Sequence, residues 1–142
     1  MLGFRKWRDA RLAPAWERAL THGSDSPAGH GPYAMTTCLG QVVRHRQRAR
    51  TGTKAYVRWH GDGSVTAAWF EGSRPAVGSY VLATGRYGHG PHHTESVFYV
   101  GPASWELVDA EAPAAYLRHQ RREAKAASRR RRRLQTQEGS SR

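Results

Sequence analysis

The side chains best suited to chemistry in this chain alternate with apolar ones along a single hairpin. From Ala55 to Phe70 the sequence runs Ala-Tyr-Val-Arg-Trp-His-Gly-Asp-Gly-Ser-Val-Thr-Ala-Ala-Trp-Phe, two arms of period two around Gly61-Asp62-Gly63. Symmetric pairing about Asp62 predicts His60 opposite Ser64, Arg58 opposite Thr66 and Tyr56 opposite Ala68. One face then carries Tyr56, Arg58, His60, Thr66 and Phe70; the other carries Ala55, Val57, Trp59, Val65, Ala67 and Trp69. The second set is uniformly apolar and reads as core. The first mixes rings with cationic and hydroxyl groups, the chemistry of a surface on which bases stack while phosphates are neutralised.

Cations flank this hairpin. Arg44, Arg46, Arg48 and Arg50 recur at every second position, which on a strand puts all four on one face, and no acidic residue lies between Cys38 and Gly61. With Lys54 they read as phosphate contacts. Arg86 and Tyr87 extend the set into the following loop. Arg129, Arg130, Arg131, Arg132 and Arg133 are consecutive, and guanidinium groups bind phosphate oxygens bidentately without reading sequence.

Other chemistries find less support. The chain has no Gly-x-Ser-x-Gly motif, no phosphate-binding glycine loop ending in Lys-Ser/Thr, and no paired carboxylates among Asp62, Glu71, Glu95 and Glu106. His89, His92 and His93, with His60, lack the spacing of a structural zinc site, so no metal and no cofactor is expected. The chain therefore reads as a non-enzymatic protein. A metal-dependent nuclease using these histidines and Asp62 is an alternative.

The whole composition agrees with a polyanionic partner. The 142 residues carry a net charge of +12, divided as +2 over residues 1–35, +4 over 36–108 and +6 over 109–142. Cys38 is the sole cysteine, which excludes an intramolecular disulfide and suits a reducing compartment. The N-terminus is charged from Arg5 onward and lacks the apolar core of a secretory signal. The longest apolar runs, Tyr80 to Ala83 and Val97 to Val100, are too short to cross a bilayer. A cytoplasmic location and no membrane partner are expected.

Three segments must position these residues. Residues 1–35 read as a short helix over 4–20, broken near Pro14, followed by a flexible Gly/Ser/Pro linker from His22. Residues 36–108 read as β: strands at 36–50, 54–60, 64–70, 79–84 and 95–100, with Gly85 to Thr94 a mobile loop and Ser104 to Val108 extending or capping the sheet. Residues 109–142 form a basic tail, helical by composition from Pro113 or disordered through charge repulsion; nine of the sixteen residues from Arg118 to Arg133 are Lys or Arg. The fold class is mainly β, a five-stranded meander forming a small barrel or a coiled antiparallel sheet.

The stretch from Gly40 to Val108 resembles the OB-fold, in particular the nucleic-acid-binding type found as an anticodon-binding domain. The resemblance rests on Leu39-Gly-Gln-Val42 in a first strand, Ala55-Tyr-Val-Arg-Trp59, the Asp62-Gly63 turn, the Trp69-Phe70 pair and Gly78-x-Tyr-Val-x-Ala-x-Gly85. The short connection between strands three and four departs from it, leaving no room for the helix many OB-folds carry there. The resemblance implies ligand contact by the exposed face of strands two and three, clamped by the turn from Gln47 to Lys54 and the loop from Tyr87 to His93. The expected partner is DNA or RNA, single-stranded by preference. An assembly subunit of a replication, plasmid-maintenance or ribosome-associated complex, touching nucleic acid through its tail alone and docking a protein partner on the sheet, is the other alternative.

Overall fold

Between Met35 and Val108, β-branched and aromatic residues alternate with small and polar ones, and five strands form: β1 (Met35–Ala49), β2 (Gly52–Trp59), β3 (Val65–Glu71), β4 (Tyr80–Gly88) and β5 (Val97–Val108). Two helices flank them, α1 (Leu2–His22) and α2 (Ala112–Ser140). The structure is a computed structural model and describes residues 2–30, 34–90 and 95–140.

The strands make one mixed sheet that closes on itself in the order β1-β2-β3-β5-β4. The expected meander is corrected at β4. Rather than following β3, it returns to pair antiparallel with β1, from Met35↔Arg86 to Gln41↔Tyr80. Strand β5 then fills the gap, antiparallel to β4 and parallel to β3 over Ala67↔Val97 to Phe70↔Val100. The crossing is made by the connection after Glu71, where Gly72 (φ 68°) and Gly78 (φ 90°) take conformations that other residues rarely adopt. Gly78 N–H donates to Val42 O at 2.7 Å and Val42 N–H to Ser79 O at 2.9 Å, which fixes the entry of β4 beside β1.

Inside the ring, Val42, Ala55, Val57, Trp59, Ala68, Phe70, Val81, Ala83, Phe98, Val100 and Cys38 form the core. Trp59 meets Phe98 edge-on at 5.2 Å between centroids, and Phe70 meets Trp105 at 5.8 Å in the same geometry. Gly85, read from composition as the start of a loop, lies within β4. A Cβ there would collide with the Tyr99 carbonyl oxygen, so the glycine serves close approach of β4 to β5. Likewise β5 runs unbroken through Gly101 and Pro102 to Val108.

The chain divides into two compact units, Met1–Trp16 with Glu111–Arg142, and Glu17–Ala110. In the first, Asp9 is 1% exposed and accepts hydrogen bonds from Arg118 Nε and Nη2, each at 2.8 Å, and from Arg122 Nη1 at 2.9 Å. Arg8 adds an ion pair to Glu111 at 2.8 Å. The expected break at Pro14 does not occur. Pro14 and Ala10, whose carbonyl loses its helical donor, are both exposed, so the missing bond lies on the solvent side of a helix that runs on through the proline.

In the second unit the described part of the Gly/Ser/Pro segment is packed rather than free. Gly23 N–H donates to Ala19 O, Leu39 N–H donates to Gly23 O, and Ser24 bridges Cys38. A Cβ on Gly23 would sit 2.6 Å from Leu39 N, so glycine is there for contact with β1.

Candidate functional site

The turn between β2 and β3 decides which side chains face outward. Trp59 N–H donates to Ser64 O and Gly63 N–H to Trp59 O, both at 2.8 Å, closing a loop of four residues, His60 to Gly63. Gly63 takes φ 73°, and Asp62 Oδ1 accepts from Ser64 N at 2.9 Å and from Ser64 Oγ at 2.6 Å. An even-numbered loop shifts the expected pairing by one residue: Arg58 pairs with Val65, Val57 with Thr66, Tyr56 with Ala67 and Ala55 with Ala68. A slip of one residue turns every side chain of one arm to the other face.

Two expected surface residues are therefore inside. Phe70 is fully buried in the core, and Thr66 turns inward, where its Oγ1 accepts from Trp59 Nε1 at 2.7 Å. By register Val65, Ala67 and Trp69 turn to the outer side with Tyr56 and Arg58, where Val65 and Arg58 are exposed, Tyr56 and Trp69 half-buried and Ala67 buried. Tyr87 is corrected in the same sense, since it pairs with Phe98 and packs against the core. Its neighbour Arg86 pairs with Tyr99 and is exposed.

The four arginines of the first strand do not share a face. Pairing passes from Val42↔Val57 to Arg44↔Tyr56 and from His45↔Ala55 to Gln47↔Lys54, so Val43 and Arg46 are extra residues at two bulges that reset the alternation. Arg44 lies on the outer side, its guanidinium 4.6 Å from the centre of the Tyr56 ring. Arg48 turns to His45 instead, donating from Nε to Nδ1 at 3.2 Å. That bond makes Nδ1 an acceptor, which leaves His45 Nε2 to donate to Pro75 O at 2.7 Å. Arg50 lies in the turn after β1, and all four arginines are exposed.

Lys54, Tyr56 and Arg58 alternate along β2 on the outer side. Lys54 is only 6% exposed, and its Nζ is 3.0 Å from Glu95 Oε1; Tyr56 OH donates to the same oxygen at 3.3 Å. The Lys54 ammonium holds the Glu95 carboxyl below its ordinary range, aided by Tyr56 and Arg46 against the opposing effect of burial. Sequence reading missed Glu95, Trp69 and Tyr99 as neighbours of this face. Only the sheet order brings β5 alongside β3 and so makes the contact.

His60 is exposed in the β2–β3 turn, beyond Arg58. His92 and His93 lie outside the described residues. Among the described residues, no group of three or more His, Cys, Asp or Glu side chains is placed to hold a metal ion, and no helix is long and apolar enough to cross a membrane.

The remaining sequence-predicted cations, Arg129 to Arg133, are all exposed on α2. At about 100° per residue, five in succession project around the whole helix. A stripe at Arg118, Arg122, Lys125, Arg129 and Arg132 runs along one side, and its first two members are those bound to Asp9. On α1, Phe4 and Trp7 are exposed with their rings 6.2 Å apart, and Arg11 sits 5.2 Å over Trp7. Compared with protein-family models and with curated proteins, the sequence matches none.

Proposed function

We propose that this chain is a non-enzymatic nucleic-acid-binding protein. It holds a single strand on the outer face of β2 and β3 and adds phosphate contacts from the arginine-rich α2. The observation that carries the reading is the alternation of Lys54, Tyr56 and Arg58 along one side of β2, with Arg44 over the Tyr56 ring and Trp69 on the neighbouring strand. Rings flanked by cations stack bases without regard to sequence while the cations neutralise the backbone.

The topology supports the OB-like reading of the sheet. Strands β1, β2 and β3 follow one another, and β4 returns to lie beside β1, which is the Greek-key order. An OB-fold is a five-stranded Greek-key barrel that binds oligonucleotides on the face of strands two and three. Arg44, Lys54, Tyr56, Arg58 and Trp69 belong to that face or its rim; Phe70, Thr66 and Tyr87 do not.

Fluorescence-anisotropy titration of the full chain against single- and double-stranded DNA and RNA oligonucleotides tests the reading. Single strands should bind more tightly than duplexes of equal length, and Arg58→Glu should weaken single strands at least tenfold. Equal binding to every polyanion, with Arg58→Glu silent and α2 substitutions abolishing it, would instead favour the assembly-subunit alternative in which α2 alone touches nucleic acid.

A further inference from the structure

The Lys54–Glu95 pair is built in an unusual way. The Lys54 side chain is almost completely buried, 8% exposed, whereas the Glu95 side chain is 43% exposed. The oxygen that reaches Lys54 Nζ at 3.0 Å is the one that accepts from Tyr56 OH. Arg44 stands over the same tyrosine ring, and Arg46 contributes to the positive potential at the carboxylate. One anionic oxygen is thus received by a buried cation and a phenol, beside a ring on which a base can stack.

A carboxylate oxygen and a phosphate oxygen accept hydrogen bonds from ammonium and phenol groups with similar geometry. A buried lysine is costly without an anion, so the position must be filled when nucleic acid is absent. Resting on the proposed function of this face, we infer that Lys54 and Tyr56 OH form a phosphate subsite for one phosphodiester of a bound single strand, and that Glu95 fills it in the free chain. Glu95 is the exchangeable partner because it is open to solvent from one side, while Lys54 is enclosed. Binding then replaces the Glu95 oxygen with a phosphate oxygen, and no bond is made or broken covalently. Displacing Glu95 costs affinity, so this carboxylate sets how tightly the face holds its ligand.

The test is the affinity of the full chain for a single-stranded oligonucleotide at several salt concentrations. Glu95→Gln should tighten binding about tenfold. Glu95→Asp, which keeps the charge but draws the carboxylate back, should tighten it by a smaller factor, on the order of threefold. Glu17→Gln, which removes an exposed charge on α1, should change it less than twofold. Lys54→Gln should weaken binding and flatten the plot of log affinity against log salt by about 0.7, the share of one phosphate on a single strand. In the Lys54→Gln background, Glu95→Gln should bring no gain.

Thermal melts of each variant establish that it folds, and Glu95→Asp carries the test if Glu95→Gln leaves Lys54 too poorly paired to fold. A gain that persists without Lys54, or no gain from either Glu95 variant, overturns the subsite. Failure of the underlying reading looks different: the wild-type chain would not bind single strands, or Arg58→Glu would leave that binding untouched, and the subsite would fall with it.

Discussion

Arg44 on β1 lies over the ring of Tyr56 on β2, 4.6 Å from its centre, and the two residues are direct partners in the sheet. The cation covers one side of the ring, and on the proposed function it would hold the ring ready for a stacked base. Tyr56→Ala should cost about 1–3 kcal/mol of binding to a single strand, the usual value of one stacked base. Arg44→Ala should cost less, about 0.5–1 kcal/mol, and the double variant should lose less than the sum, because both substitutions remove the same preorganised ring. Anisotropy titrations of the four proteins give the coupling directly. Strict additivity would mean that the two side chains act separately.

Asp9 provides a second prediction, on stability. The Arg118 hydrogen bond, with help from Arg122, brings its pKa down from 3.8 to about 2 despite the opposing effect of burial. A carboxyl whose folded pKa is depressed stabilises the folded state fully above its unfolded value, and the contribution is lost as pH falls through the folded value. The helical signal of the wild-type chain should therefore lose thermal stability between about pH 4 and pH 2. Asp9→Asn should be less stable at pH 7, and the gap between the two proteins should close across that window. Circular-dichroism melts at pH 7, 4, 3 and 2 measure it. A constant gap would show that Asp9 contributes by shape rather than charge.

Cys38 reports on the ring. On β1, where it pairs with Ala83 of β4, it is fully buried in the core, and burial, more than the nearby Asp25 and Asp62 charges, pushes its thiol up to about 12. Thiolate is the reactive form, so a maleimide or aromatic disulfide reagent at pH 8 should leave the folded chain unlabelled. In denaturant titrations, labelling should track the change in tryptophan fluorescence, to which the buried Trp59 contributes among five tryptophans. Rapid labelling of the native chain would mean that β1 and β4 separate well below the global transition.

Much of this architecture is legible before folding is considered. The alternation in residues 54–70 predicts β2, β3 and the inward set Ala55, Val57 and Trp59, because a strand's period of two is local. The face of the partner arm is not local in the same way. Whether Phe70 or Trp69 points inward depends on whether the loop after Trp59 has an odd or even number of residues. Gly61-Asp62-Gly63 suits either until Gly63 takes the positive φ and Asp62 captures Ser64. The bulges at Val43 and Arg46 are equally silent in sequence, since nothing in Val-Val-Arg-His-Arg marks an extra residue. The Asp9–Arg118 contact joins residues 109 apart, and Glu95 meets Lys54 only once β5 has settled beside β3. Pairings of that kind come from topology, which no window of neighbouring residues contains.

The arginine run should behave unlike the sheet face. Arg118 and Arg122 are engaged by Asp9, whereas Lys125, Arg129 and Arg132 continue the stripe with exposed side chains and Arg130, Arg131 and Arg133 cover the other sides. Replacing Arg129 to Arg133 with Gln retains good helix formers and leaves the Asp9 hydrogen bonds intact, so the chain should keep its helical signal. Every phosphate that is no longer neutralised should flatten the salt dependence by about 0.7 on single strands and about 0.9 on duplexes. The loss of affinity should be uniform across sequences, and proportionally greater for duplexes, which gain nothing from stacking on Tyr56. Titrations of the five-glutamine variant against both forms over a salt series supply all of these slopes. If single strands lose more than duplexes, the run is part of the single-strand site rather than a separate electrostatic anchor.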